Sequence, residues 1–271
     1  MHDPARVYRS KAPLRLFAVV ALIFVGCGGG SGDSSAGNPR FGTPAGTDAD
    51  ISLLFMGNSH ASVNNLQGLV VAMVQAARPA KSVAAVEAPG WMFLEERLDD
   101  APSVNLLRSQ DWSFVILQAQ KYSSSGQFEY STAEAEEFIR MARQQDAIPI
   151  MFPEWPRLGV DETIRIYDLH VSIAQREVAC VAPIGQAWDL SLARDPALVL
   201  HASDGNHSNP AGAFLAALIL YATVTGESPL AIPPLPQFPV DVATQAQLRA
   251  VADETVQVWP SRAWCPSDPF P

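Results

Sequence analysis

The stretch Ile51-Ser52-Leu53-Leu54-Phe55-Met56-Gly57-Asn58-Ser59-His60 decides the fold. Its first six residues are apolar apart from one serine, as in a strand buried on both faces, and they stop abruptly at a glycine followed by small polar groups. The next segment has the helical period. Asn64 and Gln67 read as a capping box, and Leu66, Val70, Met73, Val74 and Ala77 fall on one face. A buried strand, a polar loop and a helix form the first half of a βαβ unit, whose next strand is parallel.

The unit repeats along the chain. Further strands are predicted at Ser82–Ala88, Ser113–Leu117, Ile148–Phe152 and Val178–Ile184, and helices at about 132–144 and 161–176. Asn209 and Pro210 supply an N-cap and a first-turn proline for another helix, with Phe214, Ala217, Leu218 and Tyr221 as its apolar stripe and Gly226 as its stop. A Pro-rich connector at 229–239 leads to a last helix at 241–258, packed through Leu248, Ala252 and Val256. This pattern predicts an α/β domain over 51–271, with a five-stranded parallel sheet covered by helices on both faces.

Composition narrows the function classes. The chain has 271 residues, 48% of them hydrophobic and 17% charged, which suits one globular domain. A formal net charge of −10 argues against a nucleic-acid partner, because such binding relies on Lys and Arg displacing counterions. No apolar run reaches the roughly 18 residues of a membrane span, and the three cysteines are too few for a Cys-rich zinc module.

The N-terminal region reads as an address. Arg6, Arg9, Lys11 and Arg15 precede the apolar run Leu16–Val25, so residues 1–26 are read as a signal peptide. Phe24-Val25-Gly26-Cys27 resembles the lipobox of bacterial lipoproteins, with Phe24 where Leu is usual. That resemblance implies lipidation of Cys27, a membrane anchor and a place in the cell envelope or periplasm; the alternative is a plain secretory peptide cut nearby, with Cys27 incidental. Residues 27–50 are Gly/Ser-rich and read as a flexible tether. Residues 1–26 carry four Lys/Arg and one acid, so their removal takes the net charge from −10 to −13. With Cys27 lipidated, Cys180 and Cys265 can form one disulfide in an oxidising compartment.

In open parallel sheets, ligands bind beyond the carboxyl ends of the strands. Those positions hold Gly57-Asn58-Ser59-His60, Pro89-Gly90-Trp91, Gln118-Ala119-Gln120, Pro153-Glu154-Trp155 and, downstream of the fifth strand, Asp204-Gly205-Asn206-His207. A serine hydroxyl is a weak nucleophile until a base takes its proton, and histidine does this well when a carboxylate fixes its tautomer. Ser59, His207 and Asp204 can fill those roles. One loop carries acid and base, three residues apart across Gly205-Asn206. Trp91, Glu154 and Trp155 are the candidates for substrate contact, with Trp188 a further aromatic near a strand end. His60 and His170 read as loop and helix-surface residues.

These residues resemble the SGNH (GDSL-like) hydrolases, flavodoxin-like α/β/α esterases and acylhydrolases, over about residues 51–226. Gly57-Asn58-Ser59 stands for the family's Gly-Asp-Ser, and Asp204–His207 for its Asp-x-x-His. One branch is similar in more detail, matching Leu117-Gln118-Ala119-Gln120, Pro183-Ile184-Gly185-Gln186-Ala187-Trp188 and Asp204-Gly205-Asn206-His207. The resemblance implies a serine esterase acting without cofactor or metal, on short-acyl esters of carbohydrate-like alcohols. It also implies an oxyanion hole from the Ser59 and Gly90 amides. The family's third donor, an asparagine after strand three, is missing, and Gln120 or its rival Gln118 is expected in its place. Four other readings stand beside this one. They are an α/β-hydrolase elbow, which normally follows several earlier strands, a metal site from His201, Asp204 and His207, a lipid acylhydrolase, and an inactive ligand-binding lipoprotein of the same fold. Nothing in the sequence bears on oligomeric state.

Overall fold

The computed structural model describes residues 49–267, so the signal peptide, the lipobox with Cys27 and nearly all of the tether lie outside the described residues. The strands are β1 (Ile51–Met56), β2 (Val83–Glu87), β3 (Phe114–Leu117), β4 (Ile148–Met151) and β5 (Cys180–Val181). Among them run helices α1 (Ser59–Ser62), α2 (Leu66–Ala77), α3 (Leu94–Leu98), α4 (Ala101–Leu107), α5 (Ala133–Arg143), α6 (Thr163–Arg176), α7 (Ile184–Arg194), α8 (Pro210–Thr225) and α9 (Val242–Val258).

The five strands form one parallel sheet in the order β2-β1-β3-β4-β5. Successive side chains of β1 point to opposite faces, as strand geometry requires. Ile51, Leu53 and Phe55 join a core with α2, α7, α8 and α9, whereas Leu54 and Met56 join a second core with α3, α4, α5 and α6. The chain winds outward from β1 in both directions, to β2 on one side and β3 on the other. The crevice where the winding reverses therefore opens at the carboxyl ends of β1 and β3. Gly57 and Gln118 stand at those two ends.

Several elements differ from the expectation for identifiable reasons. The fifth strand is only two residues long, because Pro183 has no N–H for a ladder and instead opens α7, a helix the sequence reading did not separate from the strand. The C-terminal segment lies against it, with Val181 N–H donating to the Ser261 carbonyl and Cys180 bonded to Cys265. Helices α3 and α4 were missed because each is under eight residues and they are split at Asp99-Asp100. The capping box at Asn64 does not form. Asn64 and Asn65 both have positive φ, and the Gln67 amide reaches Glu87.

Helix α8 keeps both predicted ends, with the Asn209 side chain accepting from Gly212 N–H and Gly226 closing it at φ 71. Its amphipathic stripe does not exist, since every residue from Gly212 to Thr225 is buried. Gly212 is there for proximity. A Cβ at that position would lie 2.3 Å from the Leu200 carbonyl oxygen and 2.6 Å from the Trp188 ring.

His170 is not a surface residue. It is buried in α6, its Nδ1 lies 2.7 Å from the Ile166 carbonyl, and its Nε2 has no partner among the described residues. Burial disfavours the imidazolium and lowers its pKa from 6.5 to about 4. Between those values the unfolded chain binds a proton that the folded chain does not, so stability falls as pH drops from 6.5 toward 4 and levels off below. Thermal melts of wild type and His170→Leu across pH 4–7 should differ by this contribution, on the order of 3 kcal/mol at the acid end, with the wild type the more acid-sensitive of the two.

Candidate active site

The site is built on the loop leaving β1. Asn58 caps the short α1, its Oδ1 accepting from His60 N–H at 3.1 Å, and this turns Ser59 out of the sheet as the first residue of the helix. The Gly57–Asn58 peptide that precedes it is held at both polar ends. Asn58 N–H donates to Gln118 Oε1 at 2.8 Å, and the Gly57 carbonyl accepts from the Arg97 guanidinium at 2.5 Å. A Cβ on Gly57 would lie 2.5 Å from that Gln118 oxygen, so only glycine leaves room for the glutamine.

Asp204 and His207 sit at the tip of a hairpin. His201 pairs with Ser208 in an antiparallel bridge, Asn209 N–H donates to the Leu200 carbonyl, and Gly205 makes the turn at φ 69. Within the tip, Asp204 Oδ1 accepts from the backbone N–H groups of Asn206 and His207, both at 2.9 Å. Its Oδ2 lies 2.5 Å from His207 Nδ1, and His207 Nε2 lies 2.8 Å from Ser59 Oγ. The hydrogen bond with His207 and the two amides hold the Asp204 carboxyl well below the usual carboxylate range. Carboxylate, imidazole and hydroxyl thus form one continuous hydrogen-bonded line. Asn64 ties the two halves of the site together, its Nδ2 donating to the carbonyl and hydroxyl of Ser208.

Other expected residues fall elsewhere. Gln120 donates its amide hydrogens to the carbonyls of Lys121 and Ser131 at 2.9 and 2.8 Å, so it pins the segment after β3 and is not aimed at Ser59. Gln118 commits its oxygen to Asn58 and an amide hydrogen to Glu154 Oε2 at 2.8 Å, and it is fully buried outside the wall of the cavity over Ser59 and His207. Gly90 has the positive φ of 73 that suits glycine, and its carbonyl accepts from Arg97. Trp155 is buried, stacked on Trp188 with ring centroids 4.7 Å apart, and donates to the Asn206 carbonyl, so both tryptophans support the hairpin from beneath. Trp91 is 66% exposed but lies outside the cavity wall. His201 is committed to the Pro156 carbonyl at 2.8 Å.

A cavity of about 540 Å³ opens over Ser59 and His207. Its wall includes Asn58, Phe93, Lys121, Tyr130, Glu154 and Arg157. His60, expected as a loop residue, lies in α1, buried beside Ser59 and His207, and stacks on His207 at 5.1 Å. Burial, with the neighbouring His207, lowers its pKa to about 4, so it stays neutral and adds no charge beside that imidazole. Burial also pushes Glu154 up to about 7, against the opposing effect of the Gln118 hydrogen bond.

No protein-family model matches the sequence, and no curated protein is significantly similar to it. Solved structures do match. A DUF4886 family protein from Bacteroides uniformis superposes with a TM-score of 0.61 at 16% identity, over 78% of this chain and 96% of that one. The likeness is one of fold. Other matches are a candidate SGNH hydrolase from Slackia heliotrinireducens (22% identity, 63% of this chain and 97% of that one, TM-score 0.48) and a variant of Axe2, an acetyl xylan esterase from Geobacillus stearothermophilus (13%, 64% and 92%, 0.45).

The residue that sequence reading passed over most completely is Arg97. It is fully buried and donates to the carbonyls of Gly57, Pro89 and Gly90 and to Ser103 Oγ, locking the loops after β1 and β2 together. No motif marks it; a lone arginine in a short helix reads as surface. Removing it takes the guanidinium donors from the Gly57, Pro89 and Gly90 carbonyls and from the buried Ser103 Oγ at once, and a buried polar group left without a partner costs about 1–3 kcal/mol. Arg97→Met should therefore lower the unfolding midpoint in urea sharply, whereas the exposed Arg108→Met should leave it nearly unchanged.

Proposed function

We propose that the chain is an SGNH-type serine hydrolase acting on carboxylic esters, and the single observation that carries this is the line from Asp204 through His207 to Ser59 Oγ. In this reading Ser59 Oγ attacks the ester carbonyl while His207 Nε2 takes its proton. Asp204, bonded to Nδ1, fixes the tautomer that leaves Nε2 free to accept, and it steadies the imidazolium that forms. The tetrahedral intermediate is stabilised by the backbone N–H of Ser59, with the Gly90 amide as the second donor. The imidazolium then protonates the departing alcohol, leaving an acyl group on Ser59. Water, activated by the same imidazole, releases the acid.

The cavity wall supports a polar alcohol portion. Lys121, Tyr122, Tyr130, Glu154 and Arg157 surround the triad, where a long acyl chain would meet charge and hydroxyls rather than aliphatic side chains. The substrate class we assign is a short-acyl ester of a carbohydrate-like alcohol. We also assign the chain to the exported, lipid-anchored proteins, through Cys27. The Cys180–Cys265 disulfide supports an oxidising compartment.

Labelling, kinetics and mass measurement test these assignments. A fluorophosphonate probe should label wild-type protein at Ser59 and leave Ser59→Ala unlabelled. With a 4-nitrophenyl ester of a short acid, Ser59→Ala and His207→Ala should each lose on the order of 10⁴-fold in kcat. Asp204→Asn should retain the folded circular-dichroism spectrum yet lose most activity. Retention of esterase activity by Ser59→Ala would refute the assignment. For the export assignment, intact mass of the mature protein should show a diacylated N-terminal Cys27; an unmodified N-terminus would remove the anchor.

A further inference from the structure

We infer that the Glu154 carboxyl group, acting through the Gln118 side-chain amide, is a positioning device for the nucleophile loop, so that turnover depends on the protonation of Glu154 as well as on that of the base. This rests on Ser59 being the nucleophile. The orientation of Gln118 is fixed by chemistry. Asn58 N–H can only donate, so the amide oxygen must face it, and the NH₂ group is thereby turned toward Glu154. A flipped amide would set two donors against each other. Gln118 is fully buried in a slot that exists because Gly57 lacks a Cβ, so the contact is built into the crossing of the β1 and β3 ends.

Glu154 itself lies at the boundary between this interior and the cavity, whose wall it shares with Ser59 and His207. The ionisable groups near it are Arg157 and Glu162 on its own segment and Tyr122 from the segment after β3. Arg157 is engaged by Glu162 in two parallel hydrogen bonds, Nε to Oε1 at 3.0 Å and an Nη to Oε2 at 2.9 Å. Among the described residues Glu154 therefore has no cation of its own, and burial brings its titration to about 7. When ionised, it accepts a charge-assisted hydrogen bond from Gln118, which polarises the amide and strengthens the grip of its oxygen on Asn58 N–H. Protonation weakens both contacts in series. The residue after Asn58 is Ser59, so a looser Asn58 degrades the alignment of Oγ with His207 Nε2, and misplacement by about 1 Å can cost 10²-fold.

The test is the pH dependence of the second-order rate of fluorophosphonate labelling, read for wild type, Glu154→Gln and Gln118→Met, with melting curves as a folding control. The wild-type acid limb should be steeper than one proton, because base and carboxyl group both act. Glu154→Gln keeps an acceptor for Gln118 but cannot ionise, so its limb should fall to a slope of one. Gln118→Met should do the same and lower the labelling rate at neutral pH by about 10- to 100-fold. If Gln118→Met fails to fold, Glu154→Gln decides alone. A one-proton limb in the wild type, or a Glu154→Gln profile that superimposes on it, would overturn the coupling while leaving the nucleophile assignment intact. A folded wild type not labelled at Ser59 would overturn the nucleophile, and the coupling with it.

Discussion

The Gly57–Asn58 peptide is the constraint on which the candidate site depends. A trans peptide points its carbonyl and its N–H in opposite directions, and here each end meets a buried side chain from a different part of the fold. Arg97 holds the oxygen and reaches on to the loop after β2; Gln118 holds the hydrogen and reaches on to Glu154 after β4. Four consecutive units of the sheet order thus share one hydrogen-bonded cluster at their carboxyl ends. The direction in which Ser59 leaves the sheet follows from that cluster together with the Asn58 cap of the short helix it begins.

The acid and base are held by a separate set of contacts. Asp204 satisfies two backbone amides and the imidazole at once, so its carboxylate organises the turn that carries it as well as orienting His207. The hairpin is steadied from below by the Trp155–Trp188 stack and by His201 at the Pro156 carbonyl, and from the side by Asn64. The two halves meet at the hydrogen bond between His207 Nε2 and Ser59 Oγ.

What could be read from the sequence was whatever has a period or a cap. The buried runs of β1, β3 and β4 and the Asn209-Pro210 and Gly226 ends of α8 are local signals, and the structure places them within a residue or two. The meeting of Ser59 with Asp204 and His207 was legible because all lie after strands, at the edge where open parallel sheets in general carry their sites. What escaped was set by tertiary contacts. Gln120 and Gln118 looked equivalent in the sequence, and only their partners, two carbonyls for one and an amide with a carboxylate for the other, separate them. His60 and His170 became interior residues through packing that no spacing announces, and Asn64 gave up its cap for a left-handed turn that asparagine tolerates.

Helix α8 is apolar around its whole circumference because α2, α7 and α9 enclose it. Two of those neighbours precede it in the chain, but α9 follows it. During synthesis the most hydrophobic helix of the domain must wait for residues 242–258 before its last face is covered, and for Cys265 before β5 is fastened. Until these late segments arrive, the face of α8 that packs on α9 has no cover and β5 has no covalent fastening.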